Sequence, residues 1–254
     1  MTLKVENLTV YYQTIRGDVR ALEDVTFDVQ PGEIMGLAGE SGCGKTTLCQ
    51  SLIFLTPPMK YIKGKVVLNG IELPVWDTEK MNKFRFRDIS IIPQYAMNAM
   101  NPIRKIGPMT RELLEAKDIN YHSNLAEIKH RLDLVNLPHD VLDMYPIELS
   151  GGMKQRMVMV LSTLLNPSLL IADEITSALD VASQKAVAEM LVDFLQEGCC
   201  SSVIFITHDI SILYQIANTI LIMYAGCLVE KASTETIIHS PRHPYTKLLI
   251  SSLP

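Results

Sequence analysis

Residues 33–47 read EIMGLAGESGCGKTT, and the order of features in this stretch decides the fold. A short apolar run passes through a glycine-rich turn into a helix expected from about Thr46 to Phe54, which is the strand, loop, helix order of a mononucleotide-binding unit. Within it Gly39, Glu40, Ser41, Gly42, Cys43, Gly44, Lys45 and Thr46 match the spacing GxxxxGK[ST], and Thr47 continues into the helix. The glycines let successive backbone N–H groups turn inward and the helix start presents its positive end, so a phosphate chain can be cradled there. Lys45 then neutralises phosphate charge, and the Thr46 hydroxyl can hold Mg²⁺. A ligand-free glycine-rich turn would leave unexplained a lysine at a strand-to-helix junction whose one acidic neighbour is Glu40. A cysteine at a helix start favours thiolate character, so alkylation of Cys43 is expected to block nucleotide binding.

Further along, four apolar residues, Leu169 to Ala172, precede Asp173 and Glu174. Such a strand delivers the first carboxylate to a Mg²⁺ shell and leaves the second at its end, where it can polarise a water for in-line attack on a γ-phosphorus. Without the phosphate loop the same residues would read as a strand ending in a solvated acidic turn.

The surroundings fit an α/β core. LKVENLTVYY from Leu3 and VRALEDVTFDV from Val19, joined by a turn at Gly17 and Asp18, alternate with period two and predict an antiparallel β layer. From about Ala96 to Asn166 the pattern is helical and is cut by Pro102, Pro108, Pro138 and Pro146, which suggests an inserted helical subdomain. SLLIAD (168–173) and SSVIFITH (201–208) are nearly continuous apolar strands separated by a helix over 181–196, as in a parallel sheet covered on both faces. TILIMYAGCLVEKAS (219–233) predicts a hairpin turning at Ala225 and Gly226, followed by a short tail to Pro254.

Composition excludes several classes. The formal net charge of -5 argues against a reader of nucleic-acid phosphates, which needs clustered Lys and Arg. No run approaches the roughly 18 apolar residues of a membrane span, and MTLKVENLTV lacks the regions of a signal peptide, so a cytoplasmic chain is expected. The 5 cysteines show no CxxC spacing, and reduced thiols are the default.

Leu149 to Gln155 read LSGGMKQ, which resembles the signature motif of ABC ATPases. Two glycines and a serine at a helix start offer donors and a dipole end to an anion, whereas an ordinary capped helix explains the serine but not both glycines. The resemblance implies an α/β P-loop NTPase with a RecA-like core, an N-terminal antiparallel β layer and an inserted helical subdomain. It implies one ABC ATPase domain over 1–254, with the core and β layer at 1–95 and 167–254, the signature subdomain at about 96–166 and a family-specific tail at about 241–254. It further implies ATP and Mg²⁺ as ligands, and a dimer in which Ser150, Gly151, Gly152 and Gln155 of one protomer complete the nucleotide site of the other.

The remaining family positions follow in order. Gln94, after ISIIP, is similar to the glutamine that touches Mg²⁺ or the attacking water and senses the permease; Asp173 with Thr46 would complete the metal site. Glu174 matches the catalytic carboxylate, with Lys45 and Gln94 beside it, and Ser177, Ala178, Leu179 and Asp180 resemble the D-loop. His208 resembles the switch histidine at the γ-phosphate, although a lone histidine at a strand end is more often structural. Tyr12 resembles the aromatic on which adenine stacks, with Tyr11 a rival and a plain strand-end tyrosine an alternative. One departure stands out: the family usually has proline after the catalytic glutamate, and this chain has Ile175, which leaves the link to the D-loop less constrained.

IIPQYAMNAMNP (91–102) and SPRHPYTKLLISSLP (240–254) resemble the ATPase subunits of oligopeptide and dipeptide importers, whose relatives carry nickel and other small solutes. That branch implies a related but different second ATPase, two transmembrane permease subunits, an extracytoplasmic solute-binding protein, and a place on the cytoplasmic face of the membrane. Met97 and Met100 suit a groove gripping a permease helix, and core packing accounts for them equally well. Many members continue past HPYT into a cysteine-rich tail that can hold an iron–sulfur cluster; ending at Pro254 fits a short member or a truncated one. The rival reading is a soluble ABC-type ATPase of DNA repair or translation, against which stand a single signature, no heptad run and an acidic balance.

Overall fold

A computed structural model describes residues 1–53, 55–94, 100–177 and 180–252. Phe54, Met97, Ala178, Leu179 and the last two tail residues, all singled out above, lie outside the described residues.

The chain opens with β1 (Leu3–Thr14) and β2 (Gly17–Val29), which pair antiparallel with Thr14 opposite Gly17. The turn therefore falls on residues 15 and 16 rather than on Gly17 and Asp18; Gly17, at φ +119°, already belongs to β2. Then follow β3 (Ile34–Ala38), α1 (Lys45–Ile53), β4 (Met59–Leu68), β5 (Ile71–Glu72), the single turn α2 (Thr78–Met81) and β6 (Ile89–Ile92). The helical stretch holds α3 (Ile106–Glu115), α4 (Leu125–Leu134) and α5 (Gly151–Thr163), with 3-10 turns at His122–Asn124, His139–Asp143 and Pro146–Glu148. Beyond it come β7 (Leu169–Asp173), α6 (Val181–Gln196), β8 (Val203–Ile206), α7 (Ile210–Ile216), β9 (Thr219–Tyr224), β10 (Cys227–Ser233), α8 (Thr234–His239) and α9 (Pro244–Ser251).

Two sheets form, ordered β2-β1-β4-β5 and β10-β9-β3-β8-β7-β6. In the second, β9, β3, β8, β7 and β6 run parallel and only β10 is antiparallel. Strands β3, β7 and β8 are buried at every position, so successive side chains feed two apolar layers on opposite faces. Val203 and Phe205 pack with α5, α6 and α7, whereas Ile204 and Ile206 pack with α1 and the antiparallel sheet. Strand β4 was not foreseen from the sequence, because MKYIKGKVVL interrupts its alternation with lysines and Gly64. Gly64 has a packing reason: at φ +119°, a Cβ there would stand 2.5 Å from Leu8 Cα in the neighbouring strand.

Pro108 does not cut its helix as expected, since it sits in the first turn of α3, where no backbone N–H is needed. Pro138 and Pro146 do stand at the start of 3-10 turns. The end of α5 is pinned from α4 by Arg131, which is only 2% exposed. Its guanidinium donates to Glu127 at 2.7 Å, to the Thr163 carbonyl at 3.2 Å and to the Asn166 side chain. Replacing Arg131 with Met is expected to leave those acceptors unpaired and lower stability by about 2 kcal/mol. In thermal unfolding that corresponds to a midpoint lower by about 4–8 °C.

Candidate functional site

The parallel strands β3, β6, β7 and β8 all end on one edge of the sheet, and each ends in a residue with phosphate or proton chemistry. The glycine-rich loop follows β3, Gln94 lies just past β6, Asp173 closes β7 with Glu174 next, and His208 lies just past β8. Crevices at the carboxyl ends of parallel strands are where open α/β sheets bind ligands.

Here the crevice is a cleft of about 640 Å³ whose floor is Ser41, Gly42 and Gly44 to Thr47, with Gln94 and Glu174 at one side. Gly42 (φ +80°) and Gly44 (φ +109°) adopt the left-handed backbone that turns N–H groups into a common concavity. Lys45 is 5% exposed, and its Nζ donates to the carbonyls of Gly39 and Glu40 at 2.8 and 2.9 Å. The loop thus aims its own cation using neutral acceptors, leaving the charge available to an anion.

Asp173 is 2% exposed, and its Oδ1 lies 3.4 Å from the Thr46 hydroxyl. Burial, with the neighbouring Glu174 charge second, pushes its carboxyl up to about 6 against the pull of Thr46 and Lys45. Two hard oxygen donors, one of them a buried carboxylate short of counter-charge, suit a small divalent cation such as Mg²⁺. Glu174 occupies φ +47°, a conformation that costs a non-glycine residue about 1–2 kcal/mol and clusters at functional sites. Its Oε2 accepts from Gln94 Nε2 at 2.7 Å. Gln94 therefore orients the carboxylate proposed for water activation.

Tyr12, not Tyr11, lines the cleft, with its hydroxyl 3.0 Å from Thr47 Oγ1. Beside it stand Val19, Arg20 and Ala21 of β2 and the turn residues Ala225 and Gly226, none of which was assigned to the site from sequence. The signal was the turn itself: Gly226, at φ +82°, donates its N–H to the Cys43 carbonyl at 2.9 Å. Cys43 departs from the sequence expectation, because the residue is 6% exposed and burial pushes its pKa up, outweighing the pull of Lys45 and of local backbone hydrogen bonds.

The other predicted site residues are not among those lining the cleft. Ser150 caps α5, accepting from Met153 N at 3.3 Å, and Gly151 and Gly152 are exposed at the helix start, outside the lining of this cleft. Asp180 caps α6 through Ser183 N at 3.0 Å, and His208 is exposed. Gln155 is buried and donates from Nε2 to the Ile175 carbonyl at 2.5 Å, while Gln184 of α6 donates to the Thr176 carbonyl at 3.1 Å. The segment after Glu174, which lacks the usual proline, is thus held by two glutamines from two helices.

The family described as ABC transporter matches residues 22–177. The chain belongs to the ABC transporter family. A second family, the oligopeptide/dipeptide transporter C-terminal region, matches residues 229–254. The dipeptide transport ATP-binding protein DppD of Bacillus subtilis is 38% identical, with 99% of this chain and 76% of that protein covered. The oligopeptide transport ATP-binding protein OppD of the same organism is 37% identical over 99% and 72%. Among solved structures, the ATP-binding cassette MJ0796, a dimer in a post-hydrolysis state bound to ADP and Pi, has the same fold. Its TM-score is 0.77 at 23% identity, over 91% of this chain and 98% of that one. As a member of this family the chain binds ATP and hydrolyses it to ADP and phosphate.

Two outcomes follow from the geometry. Gln155→Leu is expected to lower kcat about three- to tenfold with KM for ATP little changed, since it frees the segment carrying Glu174 and not the phosphate loop. In thiol mapping by mass spectrometry, iodoacetamide is expected to label the part-exposed Cys227 well before Cys43, with Cys43 labelling rising only toward alkaline pH.

Proposed function

We propose that this chain is the ATP-hydrolysing subunit that powers an ABC importer of dipeptides or oligopeptides, working as one half of an ATP-clamped dimer. The observation that carries the dimer is the division of the site. The phosphate loop, Glu174 and Gln94 gather around one cleft with Asp173 buried behind Thr46, while the Ser150, Gly151 and Gly152 helix start lies exposed outside its lining. A second ATPase subunit, a related but different chain, brings its own helix start to the γ-phosphate across the interface. ATP binding then closes the pair, and release of ADP and phosphate reopens it.

In this reading Lys45 and the loop amides hold the β- and γ-phosphates, and Tyr12 supports the adenine. Thr46, Asp173 and Gln94 would hold Mg²⁺, which would neutralise charge on the β- and γ-phosphates. Glu174, oriented by Gln94, accepts a proton from the attacking water, and His208 steadies the γ-phosphate from the end of β8. Asp180 and its neighbours relay closure between the two sites. The peptide assignment is supported by the names of the relatives and by the match over residues 229–254.

Membership of a transporter family implies permease partners, and no helix among the described residues is long and apolar enough to cross a membrane. The chain therefore works at the cytoplasmic face, docked on two permease subunits that receive solute from an extracytoplasmic binding protein. The permease contact is the apolar groove of about 340 Å³ beside Gln94, lined by Phe86, Ile91, Pro93, Met100, Met109 and Leu113 among others. Helices α3 to α5, within the 96–166 segment, carry the signature as a subdomain between that groove and the partner ATPase. The rival role in DNA repair or translation has no support, since the relatives named above are transport proteins matching 99% of the chain.

Glu174→Gln removes the proton acceptor and keeps the shape. It is expected to bind ATP as the wild type does, to hydrolyse it at least about a hundredfold more slowly, and to accumulate as a closed dimer. Turnover assays on the complex co-purified with its multi-span permease, and light scattering of the ATPase subunits alone with ATP, check this. Wild-type turnover would remove Glu174 from its role.

A further inference from the structure

The C-terminal segment reaches the phosphate loop directly. The Glu40 N–H donates to the hydroxyl of Tyr245, in the first turn of α9, at 3.0 Å. This amide belongs to the same planar peptide as the Gly39 carbonyl, which accepts from Lys45 Nζ at 2.8 Å. In a trans peptide the N–H and C=O point in opposite directions, so Tyr245 on one edge and Lys45 on the other fix the plane between them. The neighbouring Glu40 carbonyl also accepts from Lys45, at 2.9 Å. Gly39 leaves little other room there, since at φ +150° a Cβ would meet the Met223 carbonyl oxygen at 2.3 Å.

Tyr245 is itself held from three sides. Its ring lies against Tyr224, at the end of β9, with centroids 4.5 Å apart. Its own N–H donates to His243 Nδ1 at 3.2 Å. The preceding residues are tied to β10, where the Glu230 carboxylate accepts from Arg242 N at 2.8 Å and His243 N at 3.0 Å. The same β9–β10 hairpin reaches the loop a second time through Gly226 and Cys43.

We propose that Tyr245 is a positioning residue for ATP binding: its hydroxyl sets the Gly39–Glu40 peptide and, through it, the ammonium of Lys45. The segment that matches the oligopeptide/dipeptide transporter C-terminal region is thereby wired to the nucleotide cradle rather than being only a docking extension. The proposal rests on the reading of this cleft as the ATP site.

The test compares the wild-type full chain with Tyr245→Phe, which keeps the ring on Tyr224 and removes only the hydroxyl. Y245F is expected to raise KM for ATP about three- to tenfold with kcat within about twofold, because a positioned binding contact is lost and the reacting groups are not. The Glu40 amide is expected to exchange with deuterium about tenfold faster in the nucleotide-free chain, with the thermal midpoint unchanged. Wild-type KM in Y245F overturns the proposal, whatever the exchange rate. So does a raised KM found only in Tyr245→Leu, which would assign the effect to ring packing. Lys45→Ala separates the two levels. ATP binding that K45A abolishes and Y245F leaves untouched sinks this proposal alone, whereas a wild-type chain that binds no ATP sinks the reading of the cleft as well.

Discussion

Lys45 has to remain a strong cation in a nearly buried position without being neutralised by the protein. A carboxylate partner would stabilise it and would also compete with the phosphates it serves. The loop instead satisfies its ammonium with the Gly39 and Glu40 carbonyls, neutral acceptors that hold direction and leave net charge. This choice constrains the backbone: two consecutive carbonyls must face the end of a side chain several residues downstream, which requires the loop to fold back on itself. Glycines at 39, 42 and 44, all with positive φ, make that turn possible. The hairpin turn at Gly226 and the Tyr245 hydroxyl brace it from outside.

The same logic runs through the carboxylate side of the cleft. Asp173 is buried at the end of β7 beside Glu174, so burial and then the Glu174 charge raise the cost of ionising it, and Thr46 and Lys45 offset only part of that. A site built this way is poised for a cation and a polyanion together, since each ligand supplies the charge the other lacks. Strand geometry puts Asp173 there, but Glu174 must leave the strand, and it does so through a left-handed residue. Proline would stiffen the next position. In its place the carbonyls of Ile175 and Thr176 are held by Gln155 and Gln184, so the signature helix and α6 both restrain the segment that bears Glu174.

How far this was legible in the sequence follows from where the information lies. The phosphate loop and the Asp173–Glu174 pair stand out in the sequence because chemistry at fixed spacing needs no knowledge of the fold, Gln94 only through its resemblance to the family's glutamine, and the helix over 181–196 because its caps and period are local. Tyr12 could not be separated from Tyr11, since the choice depends on register, and β1 carries shifts at Val5, Leu8 and Val10 that reset which side faces the loop. The thiolate character expected of Cys43 is opposed for a related reason: a helix start is visible in sequence, whereas the burial that raises the pKa is set by residues far along the chain. β4 was lost because its lysines mask the alternation that Gly64 then interrupts.

Tyr245 and Gly226 show why the last part of the site was hidden. Neither carries chemistry of its own, and each acts through the orientation of a loop peptide some two hundred residues earlier. Their effect exists only because β9 pairs with β3, which puts the following hairpin and tail against the loop that leaves β3. A resemblance confined to a tail therefore carries physical meaning when the sheet order returns that tail to the cleft. Here the parallel pairing of β3 with β9 brings the branch-specific segment against the back of the phosphate loop, where Tyr245 meets Glu40, so that variation in the tail can adjust the grip on ATP without touching the residues that react.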